Sequence, residues 1–191
     1  MNFFKPKFWD KTKISFFSVL LFPIALIIKF LVFFKRFFIK SNQCSIPVIC
    51  VGNIYLGGTG KTPLSIEIYS ILKSLNMNPT FIRKQYASYQ DEFELEKQIG
   101  PIYQNKKRIE AIREAIQNKA NVAILDDGFQ DFSINKNLSI VCFNEKQWIG
   151  NGFVIPSGPL REKLTALKRC NYVFINGDQN LKSEKVLKKF N

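Results

Sequence analysis

The chain contains no histidine among its 191 residues, so groups of this chain can carry no step that needs an imidazole. Cysteine is scarce. Cys44, Cys50, Cys142 and Cys170 show no CxxC spacing, which argues against a zinc site. Cys50 and Cys142 lie in apolar, strand-like runs and read as small buried residues in a reducing compartment. Acidic side chains are also few, 15 against 28 Lys and Arg, for a formal charge of +13. Such an excess favours an anionic partner: nucleic acid, a phosphorylated ligand or an anionic membrane face. No internal repeat and no low-complexity segment breaks the chain. Its length suits one domain with a core plus an appendage.

Phenylalanine is abundant, with 19 copies, many of them in the first forty residues. Lys5, Lys7, Lys11 and Lys13 precede a run from Ile14 to Phe34 that is apolar except for Ser15, Ser18 and Lys29. As a helix this run spans roughly 30 Å, about one hydrocarbon core. Pro23 would kink it, and Lys29 would have to snorkel. Lys29, Arg36 and Lys40 then share a narrow arc of a helical wheel, which predicts a basic amphipathic helix lying on a membrane surface. A signal peptide fits less well, because bulky residues and lysines follow the run where small cleavage-site residues belong. A buried core helix is the plain alternative. Residues 1–40 are therefore read as a membrane anchor with a basic amphipathic helix, and 41–191 as a separate domain. Positive charge flanks the run on both sides, so spanning, hairpin-like and monotopic insertion all stay open.

Beyond the polar linker Ser41–Ser45, short apolar runs alternate with helical periodicities. Strands are predicted at Ile46–Val51, Thr80–Arg83, Val122–Leu125, Leu138–Phe143 and Tyr172–Ile175. Helices are predicted over Pro63–Leu75, around Ile109–Ile116 and from Leu160 to Arg169; residues 84–100 read as loop plus a short helix. This alternation implies an α/β domain, a mostly parallel sheet with flanking helices.

The first predicted strand runs into Gly57-Gly58-Thr59-Gly60-Lys61-Thr62. Glycines allow a tight turn that aims backbone N–H groups at one anion, and the following helix adds the positive end of its dipole. Lys61 would reach the outer phosphates of a nucleotide and Thr62 would ligate Mg²⁺. Gly57, Gly58, Thr59, Gly60, Lys61 and Thr62 are thus the candidate cofactor-binding residues. The full P-loop pattern asks for glycine where Tyr55 stands, so the match is partial. Val122-Ala-Ile-Leu ends in Asp126-Asp127, a buried strand that delivers two carboxylates to the edge where ligands collect. Two adjacent carboxylates repel unless a cation sits nearby. Their alternative role is to cap the turn at Gly128. A loop of two glycine turns and two prolines, from Gly150 to Pro159, then brings Arg161 and Glu162 to the start of a helix. There a Glu often does no more than complement the helix dipole.

Together, Val51-Gly-Asn53 with Gly57–Pro63, Asp126-Asp-Gly-Phe-Gln130, and Gly150-Asn-Gly with Pro156-Ser-Gly-Pro-Leu-Arg-Glu162 resemble the tetraacyldisaccharide 4′-kinase family of lipid A biosynthesis. Phe8-Trp9 and the apolar and basic segments that follow look like that family's membrane anchor. The resemblance runs from about Lys7 to Gly177. It implies a P-loop NTPase-like fold and phosphorylation, by ATP with Mg²⁺, of the 4′-hydroxyl of a tetraacyldisaccharide 1-phosphate at the cytoplasmic face of the inner membrane. By position it implies that Lys61 stabilises the transferring phosphate and that Thr62, Asp126 and Glu162 hold Mg²⁺. Asp126 and Asp127 would serve the reacting centre, and Arg161 would contact phosphate. Asp91, in Asp91-Glu92, is the nearest match to the family's Asp that acts as or orients the base. The implied partners are the lipid A disaccharide precursor and the anionic inner membrane, with no nucleic acid.

Three departures bear on that expectation. Arg83-Lys-Gln-Tyr86 replaces an Arg-Gly-Tyr-Gly turn, with a shortened segment after it. Asp131 stands where the family usually has His. Members also continue past the position of Asn191 into a second domain carrying a His that pairs with the catalytic Asp. The expectation is the N-terminal part of such an enzyme: a truncated frame, a degenerate paralogue, or half of a split gene whose separately encoded C-terminal half would be a partner. The alternative is a membrane-anchored nucleotide-binding protein without kinase activity. A nucleic-acid binder, supported by charge alone, is the third reading.

Overall fold

A computed structural model of the chain describes residues 5–10, 14–85, 90–178 and 181–188. Six strands form one sheet: β1 (Val48–Gly52), β2 (Pro79–Lys84), β3 (Ile102–Asn105), β4 (Val122–Asp126), β5 (Leu138–Asn144) and β6 (Tyr172–Asn176), in the order β3-β2-β4-β1-β5-β6. Every pairing is parallel, with Val51 beside Asp126 and Val51 also beside Ile140. The helices are α1 (Phe16–Phe37), α2 (Lys61–Ser74), α3 (Gln90–Ile99), α4 (Arg108–Gln117) and α5 (Leu181–Leu187).

Successive strand residues point to opposite faces, so the central strands feed two cores. Ile82, Ala123 and Leu125 join Ala111, Ile112 and Ala115 of α4 on one side, with Ala166 and Leu167. Phe81 and Ile124 face α2 on the other, where the Tyr69 ring stacks on Phe81 at 4.9 Å. Burial on both faces explains why β1, β2 and β4 read as continuous apolar runs. The chain leaves β1 toward β2 on one side and leaves β4 toward β5 on the other. Because β1 and β4 are neighbours, their carboxyl ends flank a crevice at the switch point of the sheet, where ligands of such folds bind.

Three elements differ from the sequence reading. The short edge strand β3 has no apolar periodicity that could announce it. The helix expected from Leu160 is a 3-10 helix that begins at Leu164. Leu160 bridges Tyr55, and the Arg161 N–H donates to the Ile54 carbonyl at 2.7 Å; those backbone groups serve a neighbouring segment, so no helix can start there. At the N-terminus a single helix, α1, runs through Pro23 and Arg36, rather than a span followed by a separate surface helix. Its stretch Phe16–Phe34 is long and apolar enough to cross a membrane, and only 11% of it is buried against the rest of the protein. Ser18 and Ala25 make the inward contacts, whereas Phe16, Ile27, Phe30 and Leu31 are exposed.

Candidate active site

The phosphate loop is braced by the residue that follows β1. Asn53 is buried and donates from Nδ2 to the Gly57 carbonyl at 3.2 Å and to Thr59 Oγ1 at 3.0 Å. Gly60 follows with φ of 85° and caps α2. A side chain there would be strained, and its Cβ would meet Asn176 at 3.0 Å. Lys61 and Thr62 therefore enter the first turn of α2 with their side chains drawn inward; both are buried. Gly52, at the end of β1, lets Phe129 approach closely, since a Cβ would sit 2.5 Å from the Phe129 Cβ. That contact brings the segment after β4 against the loop.

Asp126 closes β4 and Asp127 turns away from it, in a left-handed conformation (φ 51°) that Asp tolerates better than most residues. The two neighbours thus point at different partners. Thr62 Oγ1 lies 3.5 Å from Asp126 Oδ2, and Arg83 Nη2 lies 2.9 Å from the same oxygen. Asp127 takes Arg161 Nη1 at 2.8 and 3.0 Å on its two oxygens, with Lys61 Nζ 4.0 Å away. Burial pushes the Asp127 carboxyl up, but Arg161 and then Lys61 outweigh burial and hold it below the ordinary carboxylate value.

Arg161 reaches this position because its loop is laced to the phosphate loop and to the N-terminus. Leu56 N–H donates to the Pro159 carbonyl at 2.8 Å, answering the bond from Arg161 to Ile54. Asn151 donates to the Ser157 carbonyl and to Ser18 Oγ of α1, each at 3.0 Å. Buried Trp9 donates from Nε1 to the Pro156 carbonyl at 3.1 Å. Gln130 ties both loops together, donating to the Asn53 carbonyl at 2.8 Å and lying 3.5 Å from Arg161 through Oε1. Tyr55, standing where the loop pattern expects glycine, is buried, and its hydroxyl meets Lys5 and Asp10.

Lys61, Asp126, Asp127 and Arg161 line a cleft of about 810 Å³. Its cations are Lys5, Lys61, Arg83, Lys84, Arg108 and Arg161, against the carboxylates Asp126 and Asp127, a balance suited to a polyphosphate. Gly57 and Gly58 form part of the wall, and Trp9, Ile28 and Ile155 add apolar surface toward α1. Among the described residues no cluster of His, Cys, Asp and Glu could hold a metal by itself. A hydroxyl and a carboxylate at 3.5 Å instead fit a hard cation that takes its remaining oxygens from water and a nucleotide's phosphates.

Of the residues singled out from sequence, Lys61, Asp126, Asp127 and Arg161 converge on the cleft, with Thr62 beside Asp126. Glu162 accepts from Arg169 at 2.5 Å, its other oxygen is buried without a hydrogen-bond partner, and it is not among the cleft-lining residues. Asp91 falls in the first turn of α3, but its side chain lies outside the described residues, as does Tyr86. Sequence reasoning missed Arg83, Arg108, Gln130 and Asn53 as site residues. Arg83 gave one signal, a cation ending an apolar strand. Arg108 gave none: it is 5% exposed and donates to the main-chain carbonyls of Asp126 and Asp127, at 3.3 and 2.9 Å, and to Asp131 at 3.0 Å.

Comparison with known proteins bears on these features together. The family model of the Tetraacyldisaccharide-1-P 4′-kinases matches residues 17–99 and 93–190. The chain is 49% identical over 179 residues to the tetraacyldisaccharide 4′-kinase of Pelagibacter ubique, covering 94% of this chain and 57% of that protein. It is 32% identical over 192 residues to that of Rickettsia bellii, covering 92% and 59%. The solved structure of LpxK from Aquifex aeolicus in complex with ATP has the same fold, with a TM-score of 0.70 at 21% identity, covering 83% of this chain and 58% of that one. The chain thus spans a little under three fifths of the length of these relatives. With its matched residues running almost from end to end, the chain belongs to the tetraacyldisaccharide-1-P 4′-kinase family.

Proposed function

We propose that this chain handles the nucleotide and the transferring phosphate in an ATP-dependent kinase that phosphorylates the 4′-hydroxyl of tetraacyldisaccharide 1-phosphate in lipid A biosynthesis. The observation that carries the reading is the meeting of Lys61 and Arg161 on Asp127, beside the Thr62–Asp126 pair, at the switch point of the sheet. Backbone N–H groups from Gly57 to Gly60 would hold the phosphates of ATP. Thr62 and Asp126 would hold Mg²⁺, which would supply positive charge beside the nucleotide's phosphates. Glu162 is kept as a candidate third ligand, on the strength of its buried, unpartnered oxygen.

In the transfer the lipid hydroxyl forms a new bond to the γ-phosphorus as the bond to the leaving oxygen of ADP breaks. The hydroxyl proton passes to a carboxylate, Asp127 or Asp91. Lys61 and Arg161 neutralise charge on the moving phosphoryl group, the largest contribution a protein makes to such a step. Arg161 must then exchange Asp127 for phosphate oxygen, which leaves Asp127 open to the hydroxyl.

Residues 1–40 anchor the chain at the inner membrane and 41–191 form the kinase domain on its cytoplasmic side. The apolar side of the cleft, at Trp9 and Ile28, faces the acyl chains of a substrate that never leaves the bilayer.

The test is label transfer from γ-labelled ATP to tetraacyldisaccharide 1-phosphate in membranes containing the chain. Label in the lipid is expected, and its loss in Lys61→Ala. Nucleotide binding without label would instead favour a binding protein that lacks kinase activity.

A further inference from the structure

Lys29 interrupts the apolar stretch of α1. Phe22, Leu26 and Lys29 share one face of that helix by their spacing. The face borders a groove of about 360 Å³ whose far wall is Phe153, Val154 and Leu164. The Phe22 and Phe153 rings meet edge to face at 5.9 Å. Across the groove Lys29 comes within hydrogen-bonding distance of Lys163, donor against donor, and Thr165 adds a hydroxyl to the same wall. Among the described residues no acid lines the groove, and neither lysine has an acidic partner. Glu162, next to Lys163 in the chain, is taken by Arg169 at 2.5 Å. Two ammonium groups that face one another repel. An anion that accepts from both turns the repulsion into attraction.

We propose that this groove is a site for an anionic phospholipid of the bilayer, its phosphate between Lys29 and Lys163 and an acyl chain along Phe22, Leu26 and Phe153. The inference rests on the membrane-anchor reading above. Charge complementarity selects an anion, and a headgroup with an ammonium of its own would add a third positive charge. The apolar walls continue into the exposed side of α1, which favours an anion that carries acyl chains over free phosphate. Depth agrees. Lys163 belongs to the polar domain, and that domain also touches α1 at Ser18, where Asn151 donates at 3.0 Å, and at Arg36, which lies 4.3 Å from the Phe132 ring centre. A helix so accompanied lies along the membrane surface rather than across it, which puts both lysines at the level of lipid phosphates. The groove shares no lining residue with the nucleotide cleft.

The test uses the full chain. Native mass spectrometry from detergent counts the lipid retained from phosphatidylglycerol or from phosphatidylcholine, and flotation with phosphatidylcholine vesicles carrying increasing phosphatidylglycerol reads partition. A single phosphatidylglycerol should stay on the chain, with phosphatidylcholine retained about tenfold less. Lys29→Gln with Lys163→Gln should lower the gain in partition from phosphatidylglycerol about tenfold or more, and leave partition on pure phosphatidylcholine and nucleotide affinity within about twofold. Lys40→Gln with Lys168→Gln removes the same charge from exposed positions outside the groove, and should cost about threefold or less. Lys163→Glu gives Lys29 a counter-charge within the protein, so the lipid adduct should vanish while Tm holds or rises.

Equal losses from the two lysine pairs would assign the effect to diffuse surface charge and overturn the proposal. A phosphatidylglycerol adduct that survives Lys163→Glu overturns it too. Displacement of the lipid by an equal concentration of inorganic phosphate would make the groove a site for a free anion. Displacement by tetraacyldisaccharide 1-phosphate would make it a site for the phosphate of that lipid; either result contradicts the proposal. Failure of the underlying reading looks different. If the natural chain floats with no vesicle, the anchor reading fails and the proposal falls with it. Flotation on pure phosphatidylcholine with no gain from phosphatidylglycerol leaves the anchor standing and overturns the site alone.

Discussion

Arg161 Nη1 donates to both carboxylate oxygens of Asp127, at 2.8 and 3.0 Å, although the two residues are 34 positions apart. The pair joins two segments that the sequence presents separately, the turn after β4 and the loop after Gly150. It also gives Asp127 a resting partner that a phosphate could displace. Asp127→Asn should therefore cost turnover far more than nucleotide affinity, by about 10²-fold or more if the carboxylate takes the hydroxyl proton. Steady-state label transfer beside equilibrium nucleotide binding separates the two effects. Equal losses in both would remove Asp127 from the chemical step.

Lys61 is 8% exposed and approaches Asp127 through Nζ. Lys61→Ala removes that cation while α1 and its exposed apolar side chains are untouched. Nucleotide-dependent transfer should vanish, and sedimentation with membranes should be unchanged. Transfer at the natural rate would show the phosphate loop to be misassigned.

Asp131 accepts from Arg108 and from the Ser133 N–H and hydroxyl. Burial alone would raise its carboxyl, but the Ser133 hydrogen bonds and then Arg108 win, and the group sits below the ordinary carboxylate value. A depressed acid stabilises the fold above its unfolded value, and that contribution fades as pH falls through the folded one. Asp131→Asn should therefore lower Tm at neutral pH and flatten the loss of Tm on acidification. Arg108→Met strands the acid and removes donors to two main-chain carbonyls, at a cost of about 3 kcal/mol in unfolding free energy. Denaturant titrations at neutral and acid pH check both.

Ile27 and Leu31 of α1 are 60% and 61% exposed. Replacing either by Asp disturbs no packing within the protein but places a charge mid-helix, worth about 2.5–3.5 kcal/mol against membrane insertion. Partition into vesicles should fall while nucleotide binding persists. Unchanged partition would assign α1 another role.

Burial pushes the Cys50 and Cys142 thiols up to about 12. Cys44 and Cys170 are only half-buried. Alkylation of the folded protein near pH 8 should label Cys44 and Cys170 first, and all four cysteines only in denaturant. Mass spectrometry of the adducts reads the order.

The sequence by itself determined the parts whose signal is local. The apolar stretch of α1, the buried runs of β1 and β4, the glycine turn into Lys61-Thr62 and the acidic end at Asp126-Asp127 follow from side-chain periodicity and backbone freedom within a few residues. Tertiary structure decided what depends on strand order and register. The edge strand β3 exists because β2 offers it a partner, and Leu160 leaves its expected helix because Tyr55 offers it a bridge. Arg108 carries no pattern that marks it as a site residue, and Arg83 offers only a cation at the end of an apolar strand. Each becomes one when parallel pairing sets β2 beside β4 and α4 packs against β2, since a buried charge is tolerated only where distant segments deliver its counter-charge.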